Sequence, residues 1–291
     1  MDKVKLAIIF NPSARGEKAQ ILEENVRSLT AADSFFICSG PGQAVELARQ
    51  LAEAGCSTIV AAGGDGTINA VVNGIAGLDV SLGILPMGTA NVFAGELGLT
   101  PHQLEQSWDV IEQGFTRTID LATVNDRYFV QLAGIGLDAL AVQETDLNVR
   151  RSIGPISYLF AAAQIIGRTA PRLEICFDDS ETMGGCFVLV GNGRFYGGLL
   201  TFFPSAKNDD GLLDVLVFKH QGYLDIIRYL QGVLVGNHAQ FDDIEYRQVH
   251  ALRVTSDRSV PVEIDGEVAL QTPAQFRVAP HRLRVLVPRP A

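Results

Sequence analysis

Three glycines in four positions surround an aspartate in Gly63-Gly64-Asp65-Gly66-Thr67. Glycines let a backbone come close to a ligand and take positive φ. A helix that starts just after such a turn points its N–H groups at an anion. The chemistry suggested is phosphate binding. Asp65 is the odd member, because a carboxylate beside phosphates repels them unless a cation bridges the two. Its natural reading is Mg²⁺ handling or orientation of a donor group. The same residues also read as an ordinary glycine-rich turn with an N-capping Asp65. Before the turn, Thr58–Ala62 is a short apolar run of the buried-strand type. Ile68, Val71, Val72, Ile75 and Ala76 follow at i, i+3, i+4, i+7 and i+8, one face of a helix.

The flanking sequence repeats this grammar. Leu6–Phe10 is a strand that ends in the polar turn 11–16, before a helix marked by Leu22, Val26 and Leu29. Ser34–Cys38 is a second strand, closed by 39–42, and Ala44, Leu47, Ala48, Leu51 and Ala52 form a helical stripe. Leu82–Leu85 is a fourth strand, closed by 86–91, with a helix over Val92–Leu97. Alternating strands and helices mean βαβ units on a parallel sheet. Right-handed crossovers put the C-terminal ends of the strands on one side. The four loops 11–16, 39–42, 63–67 and 86–91 therefore gather at the edge where open α/β sheets bind ligands.

From Ile119 the pattern changes to short strands separated by turns: Ile119–Val124, Tyr128–Leu132, Arg172–Phe177, Cys186–Val190, Leu213–Phe218, Ala251–Thr255 and Val260–Ile264. Helical insertions fall near Ala139–Thr169 and Tyr223–Val235. The expected fold is α/β plus all-β: a Rossmann-like parallel-sheet domain over residues 1–118, then a β-sandwich domain over 119–291. A last strand, Leu283–Val287, fits either domain. Domain junctions are favoured ligand sites, so the active site is expected in the interdomain cleft.

Composition narrows the function. A net charge of −10 argues against nucleic-acid binding and against electrostatic attachment to anionic lipid. Cys38, Cys56, Cys176 and Cys186 lack metal-type spacing, and three of them sit in or beside apolar runs as buried reduced thiols do. The five histidines are scattered. No window approaches the ~18 apolar residues of a membrane span. The expectation is a soluble, cytoplasmic protein.

The residues now in view resemble a known family. Asn11-Pro12-Ser13, GGDGTINAVVNGI (Gly63–Ile75), LGILPMGTANVFAGELGL (Leu82–Leu99) and IDGE (Ile264–Glu267) are similar, in this order, to the diacylglycerol kinase catalytic-domain family. These are soluble lipid kinases that include sphingosine and ceramide kinases. GGDGT is shared more widely with NAD kinases and 6-phosphofructokinases. The similarity extends to Tyr196–Gly198 and to KNDDGLLDV at Lys207–Val215.

The resemblance implies transfer of the ATP γ-phosphoryl group to a lipid hydroxyl, with Mg²⁺ as cofactor. It places ATP on Asn11, Pro12, Ser13, Ala14 and Arg15, on Gly63, Gly64, Asp65, Gly66, Thr67, Ile68 and Asn69, and on Thr89, with Ser39 near a further nucleotide contact. The Thr67 and Thr89 hydroxyls can donate to phosphates, and Arg15 can offset charge. Asp265 would be the general base, with Glu267 beside it; at i and i+2 on an extended segment both carboxylates would share a face. Read without the family, Asp265-Gly266 is a hairpin turn. Asp65 and Asp120 complete the implied acidic set. Lys207, Asp210 and Leu212 match a structural Mg²⁺ site, while Asp209-Asp210-Gly211 also reads as a type I turn.

One departure matters. Many members read GTxNDxxR after the fourth strand, whereas here Val92 and Gly95 replace the acid and the base. Arg150 matches a family basic position without its usual charged neighbours. The acceptor lipid is thereby left open. A lipid taken from a membrane surface, by transient contact, would enter through an apolar mouth, for which Phe202-Phe203-Pro204 and Ile156–Phe160 are candidates. Self-association into a homo-oligomer is compatible with this reading. Two other functions are weighed beside it: a kinase of a soluble hydroxyl substrate, of NAD-kinase type, and a non-catalytic nucleotide- or lipid-binding regulator.

Overall fold

The computed structural model describes residues 6–12, 19–30, 35–101, 103–137, 139–140, 170–178 and 181–290. The chain divides into two compact units, Met1–Asp120 with Pro280–Ala291, and Leu121–Ala279.

In the first unit, β1 (Leu6–Phe10), β2 (Phe35–Ile37), β3 (Thr58–Gly63) and β4 (Ser81–Pro86) form a parallel sheet in the order β2-β1-β3-β4. β1 and β3 are apolar along their length because the sheet is covered on both faces, as the sequence runs suggest. The helices are α1 (Ala19–Leu29), α2 (Pro41–Glu53), α3 (Asp65–Ile75), α4 (Val92–Glu96) and α5 (Leu104–Gln113). Ile68, Val71, Val72 and Ile75 are all buried, as the periodicity predicts. α2 and α3 cross closely at Gly74, where a Cβ would stand 2.5 Å from the Val45 carbonyl oxygen and 2.7 Å from Ala48 Cβ.

The second unit is an antiparallel sandwich. Its six-stranded sheet runs β14-β13-β10-β7-β16-β17: Ile244–Val249, Leu213–Phe218, Phe187–Gly191, Leu132–Ile135, Pro261–Ile264 and Glu267–Gln271. Opposite lie β5 (Thr116–Val124), β6 (Arg127–Phe129), β8 (Leu173–Phe177), β9 (Thr182–Gly185), β15 (Ala251–Ser256) and the first half of β18 (Ala274–Leu286). Val188, Val190, Val215 and Val217 point into the core between the sheets. Their neighbours Phe187, Leu189, Leu216 and Phe218 point the other way, into a second cluster closed by helix α6 (Tyr223–Val235). Two buried faces explain why these strands read as unbroken apolar runs.

The long strand β18 departs from expectation. Ala274–Arg277 pair antiparallel with β15, while Arg284 and Val285 run parallel to β4. Only Leu283–Val287 was legible, because Pro280 within the run reads as an interruption. The single expected strand Tyr128–Leu132 is two, β6 and β7, separated at Val130-Gln131. Of the cysteines, all four are free, but only Cys38 is buried and Cys176 is exposed. The insertion Ala139–Thr169, including Arg150 and Ile156–Phe160, lies outside the described residues apart from its first two positions. No described helix is long and apolar enough to cross a membrane.

One core residue carries a pH prediction. Asp214 on β13 is fully buried; Tyr246 Oη and Gln248 Nε2, at 3.1 Å for the latter, donate to its Oδ1. Its Oδ2 has no partner among the described residues. Burial pushes its carboxyl up to about 6, against the lowering effect of those two donors. A folded value above the unfolded one means that the native state binds the extra proton. The ionised group therefore costs stability above pH 6, and the cost disappears as pH falls towards the unfolded value. Asp214→Asn is expected to stabilise the protein by about 1–2 kcal/mol at pH 8, less than the full shift because the new amide lacks an acceptor. Thermal melts at pH 8 and pH 4 check it: the gain should vanish at pH 4.

Candidate active site

The loops after β1, β3 and β4 meet as a unit. Asn11 is buried; its N–H donates to the Ala62 carbonyl at 3.1 Å and its Nδ2 to Thr67 Oγ1 at 3.0 Å. Gly63 O accepts from Met87 N at 2.9 Å and from Asn91 Nδ2 at 3.1 Å. These bonds clamp the first and fourth loops onto the start of α3. Gly64 and Gly88 then stack backbone on backbone, so that a Cβ on Gly88 would lie 2.6 Å from Gly64 Cα. Gly63 is equally constrained, since its Cβ would meet Thr67 Oγ1 at 2.6 Å.

α3 begins at Asp65 itself, with Gly64 as its N-cap. Asp65 is therefore not an N-cap, as one reading had it, but the first helical residue, where its charge suits the helix dipole. Its carboxylate also reaches the amide of Phe93 on α4, Oδ1 to N 3.4 Å. Thr67 and Ile68 are buried, and their N–H groups donate to Gly64 O at 3.0 and 3.1 Å. The Thr67 hydroxyl accepts from Asn11 Nδ2, a bond that leaves its own O–H as a donor. Asn69 accepts from Asn73 Nδ2 through its carbonyl and its side-chain oxygen. Thr89 is exposed on the fourth loop. Pro12 lies half-buried at the end of β1, and Ser13, Ala14 and Arg15 fall outside the described residues. Ser39 is taken up locally: its N–H and hydroxyl both donate to Gln43 Oε1, at 2.7 and 2.8 Å.

Sequence reasoning passed over Asn91. It is fully buried, left-handed at φ 45°, and its Oδ1 has no partner among the described residues. The signal was present, because asparagine is one of the few non-glycine residues enriched at such a φ.

In the second unit, Asp265 and Gly266 form the two-residue turn between β16 and β17, with φ 46° and 90°. Two successive positive φ values mark a type I′ hairpin turn, so the plain turn reading holds. The turn also does something no hairpin requires. The Asp265 carboxylate accepts from three consecutive backbone amides: Val130 N at 3.1 Å on Oδ2, and Gln131 N and Leu132 N at 3.0 Å each on Oδ1. Asp265 N in turn donates to Leu132 O at 2.8 Å. The expected side-by-side pair with Glu267 is corrected here. The segment is not extended, and Glu267 opens the next strand as an exposed residue. The second carboxylate at this turn is Glu263, fully buried on β16, whose Oε2 accepts from Gly266 N at 2.8 Å. Nearby, Gln131 Nε2 donates to the Phe195 carbonyl at 2.9 Å and Asn192 Nδ2 to that of Val130 at 3.1 Å; both residues are buried. Glu263 escaped notice because one acid in an apolar run reads as an outward-facing strand position.

The remaining assignments separate. Asp120 does not stand open to solvent: it is 5% exposed and accepts from Arg282 Nε at 2.8 Å, an ion pair joining β5 to β18. Asp210 closes a tight turn, accepting from Leu212 N at 3.1 Å, and Lys207 is exposed. The described residues contain no group of three His, Cys, Asp or Glu able to hold a metal. Phe203 is fully buried core rather than an apolar mouth, and Phe202 packs edge-on against Tyr196, ring centroids 5.3 Å apart.

Comparison with known proteins gives this geometry its context. Residues 5–124 match the family model of the diacylglycerol kinase catalytic domain, and residues 132–287 that of the YegS C-terminal NAD kinase beta sandwich-like domain. Across 97% of this chain and 96% of the relative, the sequence is 28% identical to the diacylglycerol kinase of Bacillus subtilis (strain 168). Over 85% of this chain and 81% of the relative, it is 34% identical to a Chromohalobacter salexigens protein named "Probable lipid kinase YegS-like". The fold matches the crystal structure of a diacylglycerol kinase from Bacillus anthracis str. Sterne with a TM-score of 0.80 at 24% identity, covering 99% of this chain and 98% of that one. A weaker likeness, TM-score 0.53 at 11% identity over 97% and 93% of the two chains, links it to an NAD kinase from Archaeoglobus fulgidus solved with ATP. With both family models matched in sequence and one relative at 34% identity over most of its length, the chain belongs to the diacylglycerol kinase catalytic-domain family, with a C-terminal domain of the YegS type.

Proposed function

We propose that the protein transfers the γ-phosphoryl group of ATP to the hydroxyl of a lipid, with diacylglycerol as the first acceptor to test. The observation that carries this reading is the Gly64–Gly88 stack at the start of α3. Two loops without Cβ atoms leave backbone at the mouth of a helix whose first-turn N–H groups favour an anion. That cradle fits a nucleotide phosphate, and the Asp65 carboxylate is the hard oxygen ligand that Mg²⁺ prefers. When bound, ATP supplies the phosphoryl group and Mg²⁺ neutralises its charge. Asn11 and Asn91 hold the loops in register, and the exposed Thr89 hydroxyl is placed to donate. Asp265 accepts the proton of the lipid hydroxyl as the oxygen–phosphorus bond forms and ADP departs. The proton moves late, because the transition state is loose and an alcohol is a weak acid. Glu263 positions the turn that carries Asp265. Asp210, with the carbonyls of Lys207 and Leu212, is proposed as a separate hydrated-cation site.

A screen with labelled ATP over diacylglycerol, monoacylglycerol, sphingoid, ceramide and polyprenol acceptors in mixed micelles tests the reading. One lipid should be labelled far above a no-acceptor control. If none is, and NAD is phosphorylated instead, the fold's likeness to NAD kinases names the better function. Val92 and Gly95 leave α4 without the acid–base pair of many relatives, so the preferred acceptor is expected to be one that needs no charged contact there.

A further inference from the structure

At one edge of β7 the chain does something a strand cannot. In a regular strand successive N–H groups point to opposite sides, so only alternate amides can reach one partner. Yet three consecutive amides, those of Val130, Gln131 and Leu132, converge on the Asp265 carboxylate. They can do so because the chain leaves the sheet at Val130-Gln131, between β6 and β7. Such a break takes carbonyls off the ladder, and Val130 and Gln131 are both buried, so their oxygens need other donors. Asn192 supplies both: its N–H donates to Gln131 O at 2.9 Å and its Nδ2 to Val130 O at 3.1 Å. The strands explain the arrangement. β10 and β16 flank β7, with Gly191 opposite Leu132 and Ile264 opposite Ala133. The next residue of each flanking strand, Asn192 or Asp265, reaches the break from its own side.

We propose that Asn192 is a positioning residue for the proton acceptor, gripping from behind the two peptide groups that hold Asp265 in front. The inference rests on the reading of Asp265 as that acceptor. The Val130 carbonyl and the Gln131 N–H belong to one peptide group, and the Gln131 carbonyl and the Leu132 N–H to the next. Each of these planes is bonded at its oxygen by Asn192 and at its N–H by Asp265 Oδ1. A peptide group is rigid, so its oxygen cannot turn without swinging the N–H on the far side. A bond accepted at the oxygen also polarises the N–H and strengthens its donation by about 10–30%. Gln131 is fixed in turn: its Nε2 donates to Phe195 O at 2.9 Å, and a Cβ on Gly193 would stand 2.7 Å from that same nitrogen. The two bonds from Asn192 are separable. Any residue but proline at this position supplies the N–H, whereas the bond to Val130 O needs the side chain. Removing the side chain should loosen the Gln131 plane and leave the Leu132 plane held.

Asn192→Ala in the full chain tests this by kinetics and by NMR of the labelled amides. Its kcat should fall about tenfold to a hundredfold with the KM for ATP unchanged, because a displaced acceptor is felt only as the proton moves. Val188→Ala, on the core face of the same strand, controls for lost stability: it should melt early and keep its kcat. The Gln131 amide proton of Asn192→Ala should move upfield, and further than that of Leu132; Val188→Ala should not reproduce this difference. A measurement on the native chain needs no variant to fold. The Val130, Gln131 and Leu132 amides should exchange with solvent as slowly as the β7–β10 ladder. The idea is overturned by native kcat in a folded Asn192→Ala, by equal or absent movement of the two amide signals, or by fast exchange at these amides in the native chain. Asp265→Asn keeps the two readings apart. Full turnover in that variant removes the acceptor assignment, and with it the purpose of the clamp. Loss of turnover there beside native kcat in Asn192→Ala removes the clamp alone.

Discussion

Asp265→Asn should remove nearly all phosphoryl transfer while leaving a folded but weakened protein. A proton acceptor at a reacting hydroxyl contributes on the order of 10²–10⁴ in rate, and an amide cannot take the proton. The stability cost has a separate origin. Asparagine tolerates the left-handed backbone at this turn, and its Oδ1 can still accept from Gln131 N and Leu132 N. Its Nδ2 would then face the Val130 amide, now bonded to Oδ2, donor against donor. One lost bond with a buried donor left over costs about 1–3 kcal/mol. Turnover and thermal unfolding measured on one preparation distinguish the two roles. A variant that melts early yet turns over normally would make Asp265 a structural clasp of the β16–β17 turn and nothing more.

The second large effect is expected at Gly88. Gly88→Ala places a methyl group 2.6 Å from Gly64 Cα and 3.1 Å from Asn91 Oδ1. The first of these is backbone and cannot rotate away, and the flanking bonds of Met87 N and Asn91 Nδ2 to Gly63 O resist separation of the loops. Overpacking of this kind costs about 1–3 kcal/mol. Displacement of a phosphate-holding loop by a fraction of an ångström to an ångström lowers turnover up to about a hundredfold. The KM for ATP should rise, with little change in the KM for lipid. Gly42→Ala on α2 is the control, because nothing lies within 4 Å of its Cβ position and alanine favours the helix. Unchanged ATP kinetics in Gly88→Ala would detach the Gly64–Gly88 stack from nucleotide binding.

The sequence made the first unit readable because local pattern and tertiary role coincide there. Leu6–Phe10 is the strand as expected, and the Ile68–Ile75 stripe is the buried face of α3. Ser81–Pro86 differs from its expected span by one residue at each end. The second unit was legible wherever both strand faces are buried, as in Leu213–Phe218. It failed where a strand is polar or interrupted. Ile244–Val249 is a half-exposed edge strand, and β18 contains Pro280. For the site, glycine and acid positions were visible as types, but their partners were not. Asp120 and Arg282 are 162 positions apart, and the three amides held by Asp265 come from 133 to 135 positions upstream. No local pattern encodes contacts at that separation. Glu263 is the instructive miss, since its burial follows from pairing with β7, which the periodicity of β16 alone does not specify.

The path of β18 bears on synthesis. Residues 280–291 belong to the first unit although the whole second unit precedes them in the chain. While a ribosome is making the protein, β1 to β4 emerge early, but β4 keeps a bare edge until Arg284 and Val285 arrive to pair with Ser81 and Leu82. An unpaired apolar edge strand is a template for the wrong neighbour. The nascent chain must therefore carry that exposed edge through the translation of roughly 200 further residues, tens of seconds at cellular elongation rates. Truncation before residue 280 should trap it there, and nascent chains should recruit chaperones at β4 until Arg284 and Val285 are free to pair with it.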